Sequence, residues 1–260
     1  MSERHAIAGS FSRAAASYDA HAALQLSVAK TLLDLVPEDL PVQTAVDLGA
    51  GTAPLARRQQ ARFPDARWLM LDIAEPMLRE ARQRGRLDHH SHAVCADAMA
   101  LPLADRSVDL LFSSFALQWC SPLADLLREL DRVMPPGATL ALSVPLAGTL
   151  AELQRAWAQV DQGRHVNSLA SAEDWHGAIS GAGFSLVNAE QVQIRQHYPD
   201  LRSIAAMLRA TGAHHVTGRS AAGLTGRRKM AALVRAYDAM REAEGLPVTW
   251  QVLYLLARKN

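Results

Sequence analysis

Val46-Asp47-Leu48-Gly49-Ala50-Gly51-Thr52 decides how this chain folds. Thr44 to Leu48 is short and apolar apart from Asp47, as a buried strand is, and Ala53 to Phe63 carries helix formers, so the glycines lie in a turn between strand and helix. Gly49 and Gly51 reach backbone angles closed to other residues and carry no side chain to hold a ligand off the main chain. Many strand-to-helix turns use glycine merely to make the corner. Asp72 separates this turn from those: it ends the next apolar run, Trp68-Leu69-Met70-Leu71-Asp72, roughly twenty residues on, where an acid in a dinucleotide-type fold meets ribose hydroxyls. Two converging strand ends mark a nucleotide-cofactor site.

The turn is not that of a dehydrogenase, because the place of the third glycine in G-x-G-x-x-G is taken by Pro54. Its D-x-G-x-G-T shape resembles motif I of the class I S-adenosylmethionine (SAM) methyltransferases, whose cofactor has no phosphate and tolerates an acid such as Asp47 near its amino-acid end. Ala96-Asp97-Ala98 resembles the acid that caps the third strand of that family near the adenine, and Val108 to Ser113 its fourth strand. Leu126 to Gly137, ending Met134-Pro135-Pro136-Gly137, resembles the helix and turn before a fifth strand. The resemblance implies a Rossmann-like α/β fold, a mostly parallel seven-stranded sheet with helices on both faces. It also implies SAM as cofactor, S-adenosylhomocysteine (SAH) as product, and cofactor contacts at Asp47, Gly49, Gly51, Asp72, Ile73, Asp97, Ala98 and Ser113. Read alone, Asp97 also suits a helix cap and Asp105 a turn.

Composition narrows the rest. The chain has 260 residues, enough for one large α/β domain or a domain with a subdomain. With 27 Lys and Arg against 26 Asp and Glu, it offers no global electrostatic case for nucleic acid or a membrane surface. Cys95 and Cys120 stand in no metal or disulfide spacing, which fits a reducing cytoplasm. His89, His90 and His92 read as a solvated connection, and no metal is expected. No apolar stretch reaches transmembrane length, and the first residues begin no secretory signal. A cytoplasmic monomer is expected.

Four segments are expected along the chain: an N-terminal helical lid at 1–40, a cofactor-binding core at 41–197, a helical insertion on the substrate side at 198–245, and a final core strand at 246–260. Leu24, Val28, Leu32 and Leu35 stand at helical spacing, with Pro37 as the stop. Helices are expected at Ala151 to Val160 and Ala170 to Ala182, and strands at Phe184 to about Ile194 and Val248 to Leu256. The helical extras cover a ligand if they lie over the carboxyl ends of the strands.

These extras carry a narrower resemblance. Ile7 to Asp19, with Phe11 and Tyr18, then Ala23-Leu24-Gln25, is similar to the N-terminal signature of the malonyl-acyl-carrier-protein O-methyltransferases of biotin synthesis. Gln118-Trp119, Met207-Leu208-Arg209, Gly212 to His215 and Leu246 to Trp250 continue the resemblance in order, over nearly the whole chain. Ala53 stands where many relatives have glycine, and Trp250 where many have tyrosine. The resemblance implies methyl transfer from SAM to the free carboxylate of a malonyl thioester on acyl-carrier protein or coenzyme A, masking the charge so that the unit primes elongation toward pimeloyl carrier protein. Such a carboxylate, with a pKa of ~4, is ionised at neutral pH and needs no general base. Alignment and exclusion of water then matter most.

Tyr18 suits an orienting role through a neutral hydroxyl, and Arg209 suits a two-pronged clamp on the acceptor carboxylate. Gln118, Trp119 and His215 are expected in the substrate pocket, and Arg227-Arg228-Lys229 is a candidate contact for an acidic carrier protein. Tyr18 as a hydrophobic staple and Arg209 or the basic run as solvated helix faces remain the plain alternatives. Methyl transfer to another small acid or a quinone precursor is a rival of the same class. A SAM-fold protein that assembles or binds without methylating is a rival of a different class.

Overall fold

Helical spacing of apolar residues organises the N-terminal stretch into α1 (Glu3–Ala14), α2 (Tyr18–His21) and α3 (Ala23–Leu35), the last burying Leu24, Val28, Leu32 and Leu33. The computed structural model describes residues 3–212 and 226–260. Strands and helices then alternate: β1 (Thr44–Leu48), α4 (Ala56–Arg62), β2 (Arg67–Asp72), α5 (Glu75–Gln83), β3 (Ser91–Cys95), β4 (Leu110–Ser114), α6 (Leu123–Val133) and β5 (Thr139–Pro145). After β5 come α7 (Ala151–Ala158), α8 (Ala172–Gly181), β6 (Phe184–Tyr198), α9 (Leu201–Ala210), α10 (Arg227–Asp238) and β7 (Leu246–Lys259).

The strands form one seven-stranded sheet in the order β3-β2-β1-β4-β5-β7-β6. The first five are parallel, and β7 runs antiparallel to both β5 and β6. The order reverses between β1 and β4, the switch point outside which open α/β sheets bind ligands. One face of the sheet packs Trp68, Phe112 and α3 residues; the other packs Leu111, Leu140, Leu142 and Trp175. Burial of side chains of this size contributes ~2 to 3 kcal/mol each.

The observed elements depart from the sequence expectation in two instructive ways. The helix after the glycine turn starts at Ala56, because Gly51 and Ala53 both take positive φ (56° and 49°) and the turn runs on. The last two strands are longer than expected, forming an antiparallel ribbon paired through to Tyr198 opposite Leu246. The α9–α10 excursion therefore leaves and re-enters the sheet at adjacent strand partners. Gly245 makes the return possible, since a Cβ there would lie 2.6 Å from the Tyr198 carbonyl oxygen. Among the described residues, no helix is long and apolar enough to cross a membrane.

Candidate active site

The glycine turn is held against the neighbouring strand by two backbone bonds, from Gly49 N–H (2.7 Å) and Ala50 N–H (2.9 Å) to the Leu71 carbonyl. Gly49 takes φ +80°, and a Cβ there would fall 2.1 Å from that of Ala116, so only glycine lets the turn and the segment after β4 approach this closely. Asp72 closes the corner: one carboxylate oxygen accepts Gly51 N–H and the other Ala74 N–H, each at 2.8 Å. Each oxygen keeps acceptor capacity for a ligand hydroxyl. Burial raises the Asp72 carboxyl above its ordinary value, and the two N–H groups pull against it.

Asp47, on β1, is raised as well. It is buried, with the amide of Gln59 from α4 donating to it at 2.7 Å. Burial pushes its carboxyl up to about 7; the Gln59 hydrogen bond opposes that and the nearby Asp72 charge adds to it.

Three cavities meet at these strand ends. The first, about 100 Å³, is lined by Gly49, Gly51, Asp72, Ile73, Asp97 and Ala98. Asp97 accepts Met99 N–H at 2.9 Å and is ion-paired with Arg4 of α1 at 2.7 Å. The second, about 130 Å³, lies against Asp19, Gln25, Asp47, Gly51 and Ser114. The third, about 680 Å³, is the largest of these three and is lined by Gln118, Trp119, Leu153, Trp250, Arg202 and Arg209, among others. Tyr18 borders all three. Its hydroxyl donates to no group among the described residues, and burial, with Asp72 and Asp19 nearby, pushes the phenol well above its ordinary value, so it stays a neutral donor.

The helical extras close over this junction. Phe11 of α1 meets Trp119 edge-on, with ring centroids 6.0 Å apart, and a Cβ on Gly212 at the end of α9 would come within 2.7 Å of the Phe11 ring. Phe115 stacks on Trp250 of β7 at 6.0 Å. Four buried polar atoms on the large cavity's lining side chains have no partner among the described residues: Gln25 Oε1, Gln118 Oε1, Trp119 Nε1 and Trp250 Nε1. Buried polar groups are normally paired, so these four stand out beside the cavity.

The structure thus gathers Tyr18, Asp47, Gly49, Gly51, Asp72, Ile73, Asp97, Ala98, Gln118, Trp119 and Arg209 around connected cavities. Ser113 is placed differently. It is buried, and its hydroxyl donates to the Leu48 carbonyl at 2.7 Å; the next residue, Ser114, is the one that lines the cavities. Successive strand residues face opposite sides of a sheet, so one position exchanges the two roles. His215 lies outside the described residues, as do His214 and Arg219. In the basic run, Lys229 is ion-paired with Asp161 at 2.8 Å, which leaves Arg227 and Arg228 exposed. Sequence reasoning missed Gln25, Ser114 and Arg202. Gln25 stood in the quoted N-terminal signature, and its place between Leu24 and Leu26 was the available signal.

A protein-family profile described as a methyltransferase domain matches residues 46–142, from the glycine turn into β5. The chain is 49% identical over 250 residues to the "Malonyl-[acyl-carrier protein] O-methyltransferase" of Alcanivorax borkumensis, covering 96% of this chain and 85% of that relative. It is 38% identical over 260 residues to the "Biotin biosynthesis bifunctional protein BioHC" of Cellvibrio japonicus, covering 99% of this chain and 50% of that protein. A crystal structure of geranyl diphosphate C-methyltransferase from Streptomyces coelicolor, holding SAH, shares the fold with a TM-score of 0.57 at 15% identity, over 91% of this chain and 80% of that one. Fold, cavities and matched domain define a SAM-dependent methyltransferase. Within that class, the chain belongs to the malonyl-acyl-carrier-protein O-methyltransferase family.

Proposed function

We propose that this protein transfers the methyl group of SAM to the free carboxylate of a malonyl thioester, at the start of the pimeloyl branch of biotin synthesis. A carboxylate oxygen forms the new O–C bond as the S–C bond breaks, leaving a methyl ester and neutral-sulfur SAH. The observation that carries the reading is Tyr18, which borders both small cavities beside the glycine turn and also the large one. Donor and acceptor entering from opposite sides meet there.

In this reading the adenosine lies along Asp72, Ile73, Asp97 and Ala98, and the amino-acid end turns toward Asp47, Gly49 and Gly51. Tyr18 orients the reactants by a neutral hydrogen bond, which leaves the nucleophile's charge intact. Arg209, exposed, lining the large cavity and without an ion pair among the described residues, clamps the acceptor carboxylate. Because charge is lost on the way to the transition state, the clamp serves recognition and placement more than acceleration. Residues 1–40 and 198–245 act as the lids that exclude water.

The acceptor arrives on acyl-carrier protein in the cytoplasm. Arg227 and Arg228 begin the helix whose Met230 and Val234 line the large cavity, and we assign them to the carrier's acidic surface. The test is a labelled-SAM assay with malonyl carrier protein, malonyl-CoA and free malonate side by side. Efficient methylation of either thioester with malonate left unmodified is the expected result; labelling of malonate alone overturns the reading. Arg227→Glu with Arg228→Glu should raise KM for the carrier protein and leave malonyl-CoA unchanged.

A further inference from the structure

Tyr18 begins helix α2, a segment of four residues whose N-terminus has no side-chain cap, and its ring packs against Ala15, Ala74 and Met77. One carboxylate adds a polar tie from this segment to the glycine turn and to the end of α5. Asp19 Oδ1 accepts the Thr52 hydroxyl at 2.6 Å, and Asp19 Oδ2 accepts from Arg84 at 2.8 Å and from Arg86. Arg86 closes the network by donating to the Thr52 carbonyl (2.8 Å) and to its hydroxyl oxygen (2.9 Å). Arg84 is itself braced by Glu80 of α5 at 2.7 Å and reaches the Ala16 carbonyl at 3.4 Å.

The partners' locations give this network its meaning. Thr52 is fully buried and directly follows Gly51 in the turn that lines both small cavities. Arg84 and Arg86 lie just beyond α5, the helix that follows Asp72. Asp19 and Arg86 also line the same small cavity as Asp47 and Gly51. A single side chain thus joins the segment carrying Tyr18 to both halves of the cofactor site. Burial alone would push the Asp19 carboxyl up, yet hydrogen bonds from Arg86 and Thr52 hold it below its ordinary value, so the charged pairing is a favourable one.

We propose that Asp19 is a positioning residue: its bonds to Thr52, Arg84 and Arg86 latch the N-terminal segment over the bound cofactor and set Tyr18 at the meeting point of the cavities. This rests on the reading of Tyr18 as the orienting group. The latch joins parts that both border the cofactor site, so SAH leaves, and SAM enters, when it opens. Asp19 touches neither reactant in this role. It acts through Tyr18 and through the time the segment stays shut.

The experiment uses the full chain. Asp19→Asn keeps the shape and removes the charge; Arg86→Lys keeps the charge and removes the two-pronged geometry. Turnover, malonyl-CoA KM and the release rate of radiolabelled SAH in a chase are measured, with circular dichroism to confirm folding. Asp19→Asn should lower kcat roughly tenfold or more and speed SAH release by a similar factor, with malonyl-CoA KM little changed. Arg86→Lys should fall between it and wild type. In the Asp19→Asn/Tyr18→Phe double variant the kcat loss should be no greater than in Tyr18→Phe alone, because the two act as one unit. Wild-type SAH release and turnover in folded Asp19→Asn overturn the latch, as do losses that multiply in the double variant. If Tyr18→Phe alone turns over like wild type, the orienting role fails, and the SAH release rate still decides whether the latch exists.

Discussion

Replacing Asp47 by asparagine tests the electrostatics of the cofactor site most directly. Burial and the neighbouring Asp72 hold the Asp47 carboxyl at about 7, against an ordinary 3.8. Each tenfold change in a protonation equilibrium is ~1.4 kcal/mol, so at pH 8 the ionised form costs the ligand-free protein ~4 kcal/mol relative to the unfolded chain. The sign follows from proton counting. Between pH 4 and about 7 the folded protein holds a proton that the unfolded chain has released, so stability falls as pH rises through that window and levels off above it. SAM carries a sulfonium and an ammonium group, and either one beside Asp47 favours its ionised form. The cofactor should therefore bind about tenfold more tightly at pH 8 than at pH 6, and binding at pH 6 should release a proton.

Asp47→Asn removes the charge and keeps the shape. Ligand-free protein should gain ~1 to 3 kcal/mol at pH 8, which at this size is a rise of ~2 to 10 °C in Tm, and should lose much of its pH dependence between 5 and 8. SAM affinity should fall, with only the dependence contributed by Asp72 remaining. The assays are thermal denaturation with and without SAM, and calorimetry in two buffers of different ionisation enthalpy at pH 6. Equal SAM affinity for wild type at pH 6 and 8, or an asparagine variant no more stable at pH 8, refutes the reasoning.

Asp72→Ala should weaken SAM and SAH by ~1.5 to 3 kcal/mol, one to two decades in calorimetric affinity, and should lower Tm because Gly51 and Ala74 N–H lose their acceptor. Tyr18→Phe should retain SAM binding and lose rate at saturating substrates; full turnover would reduce Tyr18 to packing. Arg209→Ala should raise KM for malonyl thioester by the equivalent of ~2 to 5 kcal/mol with SAM affinity nearly intact, and Arg209→Lys should rescue only in part. Equal efficiencies for wild type and both Arg209 variants would move the clamp elsewhere.

The strand ends were legible in the sequence because a buried parallel strand is a short apolar run and a turn that must admit a ligand requires glycine. Gly49, Gly51 and Asp72 follow from those two constraints alone. What could not be read depended on contacts distant in the chain. The end of β6 was hidden because the apolar alternation of Val192 and Ile194 stops at Arg195-Gln196-His197, before the pairing with β7 does. Ser113 and Ser114 exchanged roles because a strand end located to within one residue leaves its face undetermined. Lys229 looked equivalent to its arginine neighbours until the fold brought Asp161, 68 residues away, to within 2.8 Å. Gln25 and Trp250 could be seen as polar atoms in apolar runs, but only the fold shows that no group among the described residues satisfies Gln25 Oε1 and Trp250 Nε1.

These placements give the site an opposed arrangement of charge. Asp47, Asp72 and Asp97 gather where the cationic donor is proposed to lie, and Arg209 and Arg202 line the cavity for the anionic acceptor. Burial disfavours the ionised carboxyls of Asp47 and Asp72, and the Asp72 charge adds to that at Asp47, so a cation placed beside them relieves the cost. Methyl transfer cancels the sulfonium charge and the carboxylate charge in one step. In the proposed arrangement the acids then hold SAH less firmly than SAM, and the arginines hold the methyl ester less firmly than the acid. With a neutral Tyr18 proposed between the two clusters as the orienting group, the same loss of charge that completes the reaction also loosens both products.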